Sequence, residues 1–385
     1  MTGPLDPFET DERKALRASA RGFAEREIQP DLDAWELDGV IPAELAKKAA
    51  GAGLLGVGYP EAVGGEGGSV IDAMVLAEGL MAGGASTGSL AALLTHNVSL
   101  PHMVRVGTPD QVARFVKPAL AGEKVGSLGV TEADVGSDLA ATRTTARRDG
   151  DHYVVNGAKM FITSGARADF VTTLVRTGGP GPKGLSILVV ESGTPGFSVS
   201  RKLNKMGWLC SDTAELAFTD CRVPAANLVG REGDGFGLLM HQLMSERLML
   251  AIQACAIAQR SLDLTVDHVR SRVTFGQPLI SRQVVQHKLV EMHQRIDVAR
   301  TYARAVTARF AGGEQVTAET CLAKIAAADA CSFVVDQAAQ LHGSMGFMRE
   351  TEIERHYRDA RVFRIGGGAS EPLADWAARM LGYHE

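Results

Sequence analysis

Two stretches of the 385-residue chain carry residues whose types and spacing could do chemistry. Glu246 is the one acid in the strongly apolar, helically spaced run from Phe236 to Ser261, with Leu243 at i−3, Met249 at i+3 and Leu250 at i+4. Burying a carboxylate among such neighbours is costly unless the group is used or paired. Desolvation there raises a carboxyl pKa toward neutrality, the direction that suits a general base; the alternative is a buried ion pair with a basic residue elsewhere. Arg247 follows directly, but adjacent helix residues do not face each other, so it need not neutralise Glu246.

The second stretch is GSLGVTEADVGSDLAATRTTARRDGDHYVVNGAKMFITSG, from 126 to 165. Thr131, Gly136 and Ser137 place hydroxyls, an acid and side-chain-free backbone together, a set suited to hydrogen-bonding a phosphate or a flat heteroaromatic ring. In FITSG, Phe161 and Thr163 are two apart, so on a strand they share a face, one offering an aromatic plane and the other a hydroxyl. Taken singly, the first piece reads as a turn-rich segment and the second as ordinary strand packing.

These residues need elements to hold them. Dividing the length by roughly 150 residues per domain predicts two or three units. Up to about 125 the apolar residues recur at helical spacing, as in Leu16, Ala20, Phe23 and Ala24, and the breaks carry turn chemistry. From 126 to 230 the texture changes to short alternating segments such as HYVVNG, FVTTLVRT and LSILVVES, which predict an antiparallel β domain. From 231 to 385 helical spacing returns, with long segments near 235 to 270, 282 to 313 and 317 to 344, predicting a four-helix bundle. The expected class is α+β, helices then strands then helices, which is not the alternation of a doubly wound sheet.

Composition removes other classes. The chain is 45% hydrophobic and 22% charged, which excludes disorder as its main state. Its formal charge of -5 and the lack of a basic segment argue against nucleic acid or an anionic membrane as partner. Five cysteines without a CxxC pair fit a reducing compartment. The opening MTGPLDPFETDERKAL has acids where an export signal needs bases, and no uncharged apolar run reaches the roughly 18 residues of a membrane span, so a cytoplasmic, soluble protein is expected. Gly179, Gly181 and Gly184 satisfy GxGxxG but lead into strand-like LSILVV, which marks a hairpin loop. Gly84, Ser86 and Gly88 satisfy GxSxG but follow a helical segment, which marks a loop between helices. Ten histidines include no HExxH, and no metal is expected.

Together and at this separation, TEADVGSD at 131 to 138 and NGAKMFITSG at 156 to 165 resemble the signature of the acyl-CoA dehydrogenase family of flavoenzymes, TEPxAGSD followed by NGxKxxITNG. The resemblance continues in family order through SDTAELAFTDCRVP (211 to 224), GREGDGF (230 to 236), SRVTFGQPL (271 to 279), QLHGSMGF (340 to 347) and RDARVFRIGGGASE (358 to 371). Ala133 departs from the usual proline, which alters loop stiffness but removes no donor.

The resemblance implies FAD as cofactor, with Leu128, Val130, Thr131 and Ser137 on the flavin and pyrophosphate and Phe161 and Thr163 against the isoalloxazine. It assigns Arg272, Phe275, Gln283, Gln340, Gly343 and Ser344 to the adenine half of a neighbouring subunit's FAD, and hence implies a homotetramer. Its reaction is α,β-dehydrogenation of an acyl-CoA to a trans-2-enoyl-CoA, with electrons passed to an electron-transferring flavoprotein. Ser137, Leu243, Arg247 and Gly367 are the implied substrate contacts.

Most members of the family place the base just before a GTS-like turn near the C-terminus, where this chain has Gly367 in IGGGAS. The isovaleryl-CoA and long-chain branches draw it from a helix of the last domain directly before an arginine, and LMSERLML supplies Glu246 and Arg247 there. Gly367 keeps its N–H for the thioester oxygen, and the loss of a side chain is expected to free room for a bulky acyl group. Competing expectations are an acyl-carrier-protein-linked dehydrogenase, or a family-shaped flavin oxidase, monooxygenase or non-catalytic subunit.

Overall fold

The computed structural model describes residues 7–383. The first six residues, on which part of the no-export expectation rests, lie outside the described residues.

The N-terminal unit is built from α1 (Asp11–Glu27), α2 (Leu32–Asp38), α3 (Ala43–Gly51), α4 (Val70–Ala82) and α5 (Thr87–Leu93), followed by the short α6 (His96–Ser99), α7 (Pro101–Val106), α8 (Pro109–Gln111) and α9 (Lys117–Leu120). The start of α4 is fixed by a capping box between Ser69 and Asp72, which satisfies orphan amides at its first turn. Ser86 of the GxSxG stretch accepts from Ser89 N–H and caps α5, so that serine has a structural task.

The middle unit is an eight-stranded sheet: β1 (Gly126–Gly129), β2 (Thr145–Asp149), β3 (His152–Thr163), β4 (Phe170–Arg176), β5 (Leu185–Glu191), β6 (Phe197–Lys202), β7 (Thr213–Pro224) and β8 (Leu228–Val229). Its order is β6-β7-β3-β2-β4-β5-β8, with β1 beside β4. The expected antiparallel domain is therefore mixed: β1 and β2 run parallel to β4, while the remaining pairs are antiparallel. The difference arises because β1 reaches β4 only after the β2–β3 hairpin has intervened, and a long connection lets two strands enter from the same end. The GxGxxG stretch is the loop between β4 and β5.

The C-terminal unit packs α10 (Gly235–Ser271), α11 (Gln283–Ala311), α12 (Thr317–His342) and α14 (Ser370–Met380) as a bundle, with α13 (Glu352–Ala360) crossing its end. The hairpin β9 (Val273–Thr274) and β10 (Gln277–Pro278) joins α10 to α11.

Helix α10 is apolar on several faces because it is packed from several sides. One apolar core joins Phe23, Met74 and Val75 of the first unit to Leu248, Ile252 and Ile257 of α10 and Val334 of α12. A second joins Leu100 and Phe115 to Leu185 and Ile187 of β5 and Leu239 of α10, with Leu128, Val130 and Leu243 at its edge. The helix that carries Glu246 is thus clamped between all three units. All five cysteines are buried and free, and no helix among the described residues is long and apolar enough to cross a membrane.

Candidate active site

Glu246 lies on the fourth turn of α10, half-buried, and forms no ion pair among the described residues. Gln242, one turn earlier on the same face and almost fully buried, donates from Nε2 to Glu246 Oε2 at 3.0 Å. Burial pushes the Glu246 carboxyl above its ordinary value, while the Gln242 hydrogen bond and the charges of Arg247 and Lys324 pull it back down.

The last-domain turn Gly366–Ala369 meets this carboxylate. A β-carbon on Gly367 would stand 3.9 Å from Glu246 Oε1, 3.8 Å from Arg247 Cγ and only 2.6 Å from Leu250 Cδ1. Gly367 has φ +66° and Gly368 φ +107°, backbone conformations that glycine adopts at little cost. The space expected to be freed by Gly367 is therefore not open: Leu250, one turn beyond Glu246, fills it.

Arg247 points away from Glu246. Its Nε donates to the Gly367 carbonyl at 2.8 Å, Nη1 reaches Met244 Sδ at 3.9 Å, and the guanidinium stacks 4.9 Å from the Trp376 ring centroid. Its group is committed to the glycine turn rather than held free for a ligand. Beside it, the buried Lys324 of α12 donates from Nζ to the Gly368 carbonyl at 2.7 Å.

The 126 to 165 stretch forms a separate wall. Strand β3 carries register shifts between Val155 and Gly157 and between Lys159 and Ile162. Phe161 sits in the second with φ +62° and its ring 61% exposed. A large apolar ring held in an unfavourable conformation and left in water marks a surface built to meet something. Ser127 Oγ donates to the Thr163 carbonyl at 2.9 Å, and Met160 N–H donates to the Thr131 carbonyl at 2.8 Å, so β1, the 131–138 loop and β3 are tied together. Leu128 and Val130 reach the apolar cluster that also takes Leu243 of α10.

Of the three acids in this loop, Glu132 is not available to a ligand. Glu132 is buried and accepts from Arg143 N–H, Thr144 N–H and Lys159 Nζ at 2.8, 2.9 and 2.8 Å. Ser137 and Gly136 stand exposed, and the hydroxyls of Thr131, Ser137 and Thr163 meet no protein partner among the described residues. Unspent hydroxyl and amide donors around an exposed aromatic plane fit a flat, phosphate-bearing cofactor such as FAD.

The remaining predicted residues gather elsewhere. Arg272, Phe275 and Gln283 flank the β9–β10 hairpin, and Gln340, Gly343 and Ser344 close α12; all six are exposed. The two groups meet through the stacked rings of His268 and His342, 4.3 Å apart. Phe275 is 98% exposed at φ +51°. Arg272 directly follows α10, 26 residues beyond Glu246 and roughly 39 Å along the helix axis. Within one chain, these residues and Glu246 cannot face the same flavin ring.

Sequence reasoning missed Gln242, Lys324 and Trp376. Gln242 had a usable signal, its i−4 spacing from Glu246; Lys324, the sole lysine or arginine between Ala318 and Arg349, carried the same kind of signal as Glu246.

A three-domain chain of helices, mixed sheet and helices, with a partly buried carboxylate on α10 and an exposed aromatic ring on β3, has the architecture of the acyl-thioester-oxidising flavoenzymes to which comparison with known proteins assigns it. The family models described as the acyl-CoA dehydrogenase N-terminal, middle and C-terminal domains match residues 10–123, 127–221 and 233–382. A probable acyl-CoA dehydrogenase from Mycobacterium abscessus superposes with a TM-score of 0.97 at 55% identity, over 97% of this chain and 100% of that one. Isobutyryl-CoA dehydrogenase from Bos taurus is 36% identical over 97% of this chain and 89% of its own length. Long-chain specific acyl-CoA dehydrogenase from Rattus norvegicus is also 36% identical, over 97% and 87% respectively. The chain belongs to the acyl-CoA dehydrogenase family and is an FAD-dependent oxidoreductase of acyl-CoA thioesters.

Proposed function

We propose that Glu246 is the general base that takes the proton α to the thioester carbonyl. The observation that carries this is its placement: a carboxylate without an ion-pair partner among the described residues, raised by burial, aimed at the Gly367 turn. FAD, when bound, supplies the acceptor for the hydride that leaves the β-carbon. The α C–H pair becomes the new double bond as the proton passes to Glu246. Gly367 N–H, which makes no hydrogen bond within the chain among the described residues, is directed to the thioester oxygen, where enolate charge develops.

Leu128, Val130, Thr131, Ser137, Phe161 and Thr163 hold the flavin in this reading, and Leu243 lines the acyl pocket. Arg247 serves the substrate indirectly through Gly367. Arg272, Phe275, Gln283, Gln340, Gly343 and Ser344 belong to a neighbouring subunit's cofactor in a homotetramer, which the roughly 39 Å offset along α10 supports. The electron acceptor is an electron-transferring flavoprotein, and the compartment is the cytoplasm.

The test is anaerobic reduction of the bound flavin by a panel of short, branched, long and cyclic acyl-CoAs. At least one bleaches the wild-type flavin, and Glu246→Gln lowers that rate by roughly 10²- to 10⁴-fold with FAD retained. An unchanged rate in this variant removes Glu246 from the role of base.

A further inference from the structure

Two cations are buried side by side behind the glycine turn, and neither forms an ion pair with a carboxylate among the described residues. Arg247 is 6% exposed and Lys324 1%. Burying a cation without a counter-ion is costly, so such pairs are rare unless their charge is used. Each instead donates to a turn carbonyl, Arg247 to Gly367 and Lys324 to Gly368. Consecutive peptide planes of a segment at φ +66° and φ +107° are thereby fixed from α10 and from α12. The turn so held is the one on which a β-carbon at Gly367 would lie 3.9 Å from Glu246 Oε1.

We propose that Lys324 is a positioning residue for the dehydrogenation: with Arg247 it clamps the Gly367–Gly368 turn against Glu246 and supplies the positive charge that keeps the carboxylate ionised until it accepts the proton. The inference rests on the reading of Glu246 as base. The ionisable groups facing Lys324 are Arg247 and Glu246 of α10, Cys321 of its own helix and Glu371 of α14. Burial and Arg247 hold the Lys324 ammonium down to about 8. Removing this cation deprives Glu246 of one of the two charges that lower its carboxyl.

The test uses FAD-loaded Lys324→Met and Lys324→Arg beside wild type. In Lys324→Met, the limiting rate of flavin reduction by the best acyl-CoA falls roughly 10- to 100-fold, as expected for a lost charge-assisted hydrogen bond, while KM moves far less. The acid limb of the pH–rate profile shifts upward, and Lys324→Arg recovers part of both. Infrared difference titration of the Glu246 carboxyl, assigned by its loss in Glu246→Gln, shows the same upward shift without turnover. A folded, flavin-loaded Lys324→Met whose rate, pH limb and carboxyl titration match wild type overturns the proposal. A purely structural lysine would lower melting temperature but leave the titration in place. Failure of Glu246→Gln to slow reduction overturns the base assignment; the carboxyl titration still decides the lysine's part.

Discussion

Glu246 and Gly367 stand across from each other: a side chain on the glycine would begin 3.9 Å from the Glu246 carboxylate oxygen. The helix position and the turn position are thus two approaches to one point in space. With Glu246 as the base proposed above, a carboxylate from either position would reach the same α-carbon, so glycine at the turn is compatible with a working site.

That geometry predicts how the pocket answers substitution. Gly367→Ala meets both a positive φ and Leu250 Cδ1 at 2.6 Å. The left-handed conformation costs about 1–2 kcal/mol, and the contact pushes Leu250 toward Glu246. Leu250→Ala alone leaves a cavity and costs roughly 2–5 kcal/mol. In Leu250→Ala/Gly367→Ala the steric part of the glycine substitution disappears and only the backbone part remains. Chemical denaturation of the four proteins measures the coupling; strict additivity would show that Leu250 does not fill the Gly367 space.

The raised Glu246 carboxyl sets a pH dependence of both rate and stability. A base must be ionised, so kcat/KM falls as pH drops through the raised folded value, above the ordinary glutamate range. The Gln242 amide favours the ionised form, and Gln242→Leu moves that limb to still higher pH. For stability the sign is opposite. A folded pKa above the unfolded one contributes stability that is present below the unfolded pKa and lost as pH rises through the folded value. Glu246→Gln is therefore slow in catalysis yet melts higher than wild type at neutral pH, with the gain vanishing in acid. Paired pH–rate and pH–melting curves check both signs.

The domain order and the long helices were legible because each segment repeats one periodicity over many residues: α10, α11 and α12 begin and end within a few residues of the predicted segments. The partly buried placement of Glu246 on α10 was legible because a lone acid interrupts an apolar run. The parallel placement of β1 beside β4 was not, since strand direction depends on pairing between segments over 40 residues apart. Nor was the fate of Glu132: its spacing in TEADVGSD matches a ligand-facing acid equally well, and only the fold reveals Lys159 beneath it. Leu250 filling the Gly367 gap depends on contact between residues 117 positions apart, which spacing cannot report.

Asp359 joins the three units. Its Oδ1 accepts from Trp208 N–H at 2.7 Å and its Oδ2 from Thr87 Oγ1 at 3.0 Å. Burial first, and then the charge of Glu36, push its carboxyl up to about 6. By linkage the stabilising contribution is present below the unfolded value and lost as pH rises through about 6. Asp359→Asn keeps an acceptor for Trp208 N–H and removes the buried charge. Its melting temperature is less sensitive to pH between about 4 and 7 than that of wild type, read by calorimetry across that range. An unchanged pH dependence would place the titrating group elsewhere.

The buried pair Lys159–Glu132 predicts how cofactor binding fails. Lys159 Nζ donates to Glu132 Oε1 at 2.8 Å and to the Val130 carbonyl at 2.9 Å, under the loop that carries Thr131 and Ser137. Burial holds the Lys159 ammonium down to about 8, while Glu132 sits below its ordinary value. Breaking a buried pair by removing one partner costs roughly 3–5 kcal/mol because the other charge is left stranded. Lys159→Met therefore loosens the 130–138 loop and weakens FAD binding as well as lowering stability. Because Glu132 also accepts two backbone N–H groups, Glu132→Gln releases the loop in the same way. In Lys159→Met/Glu132→Gln neither charge is stranded, so the double variant is more stable than the sum of the singles predicts, yet FAD remains weakly held since the Val130 carbonyl has lost its donor. Flavin fluorescence titration and denaturation on the same four proteins separate the two effects: additive losses in stability would mean that the two side chains do not act as a pair.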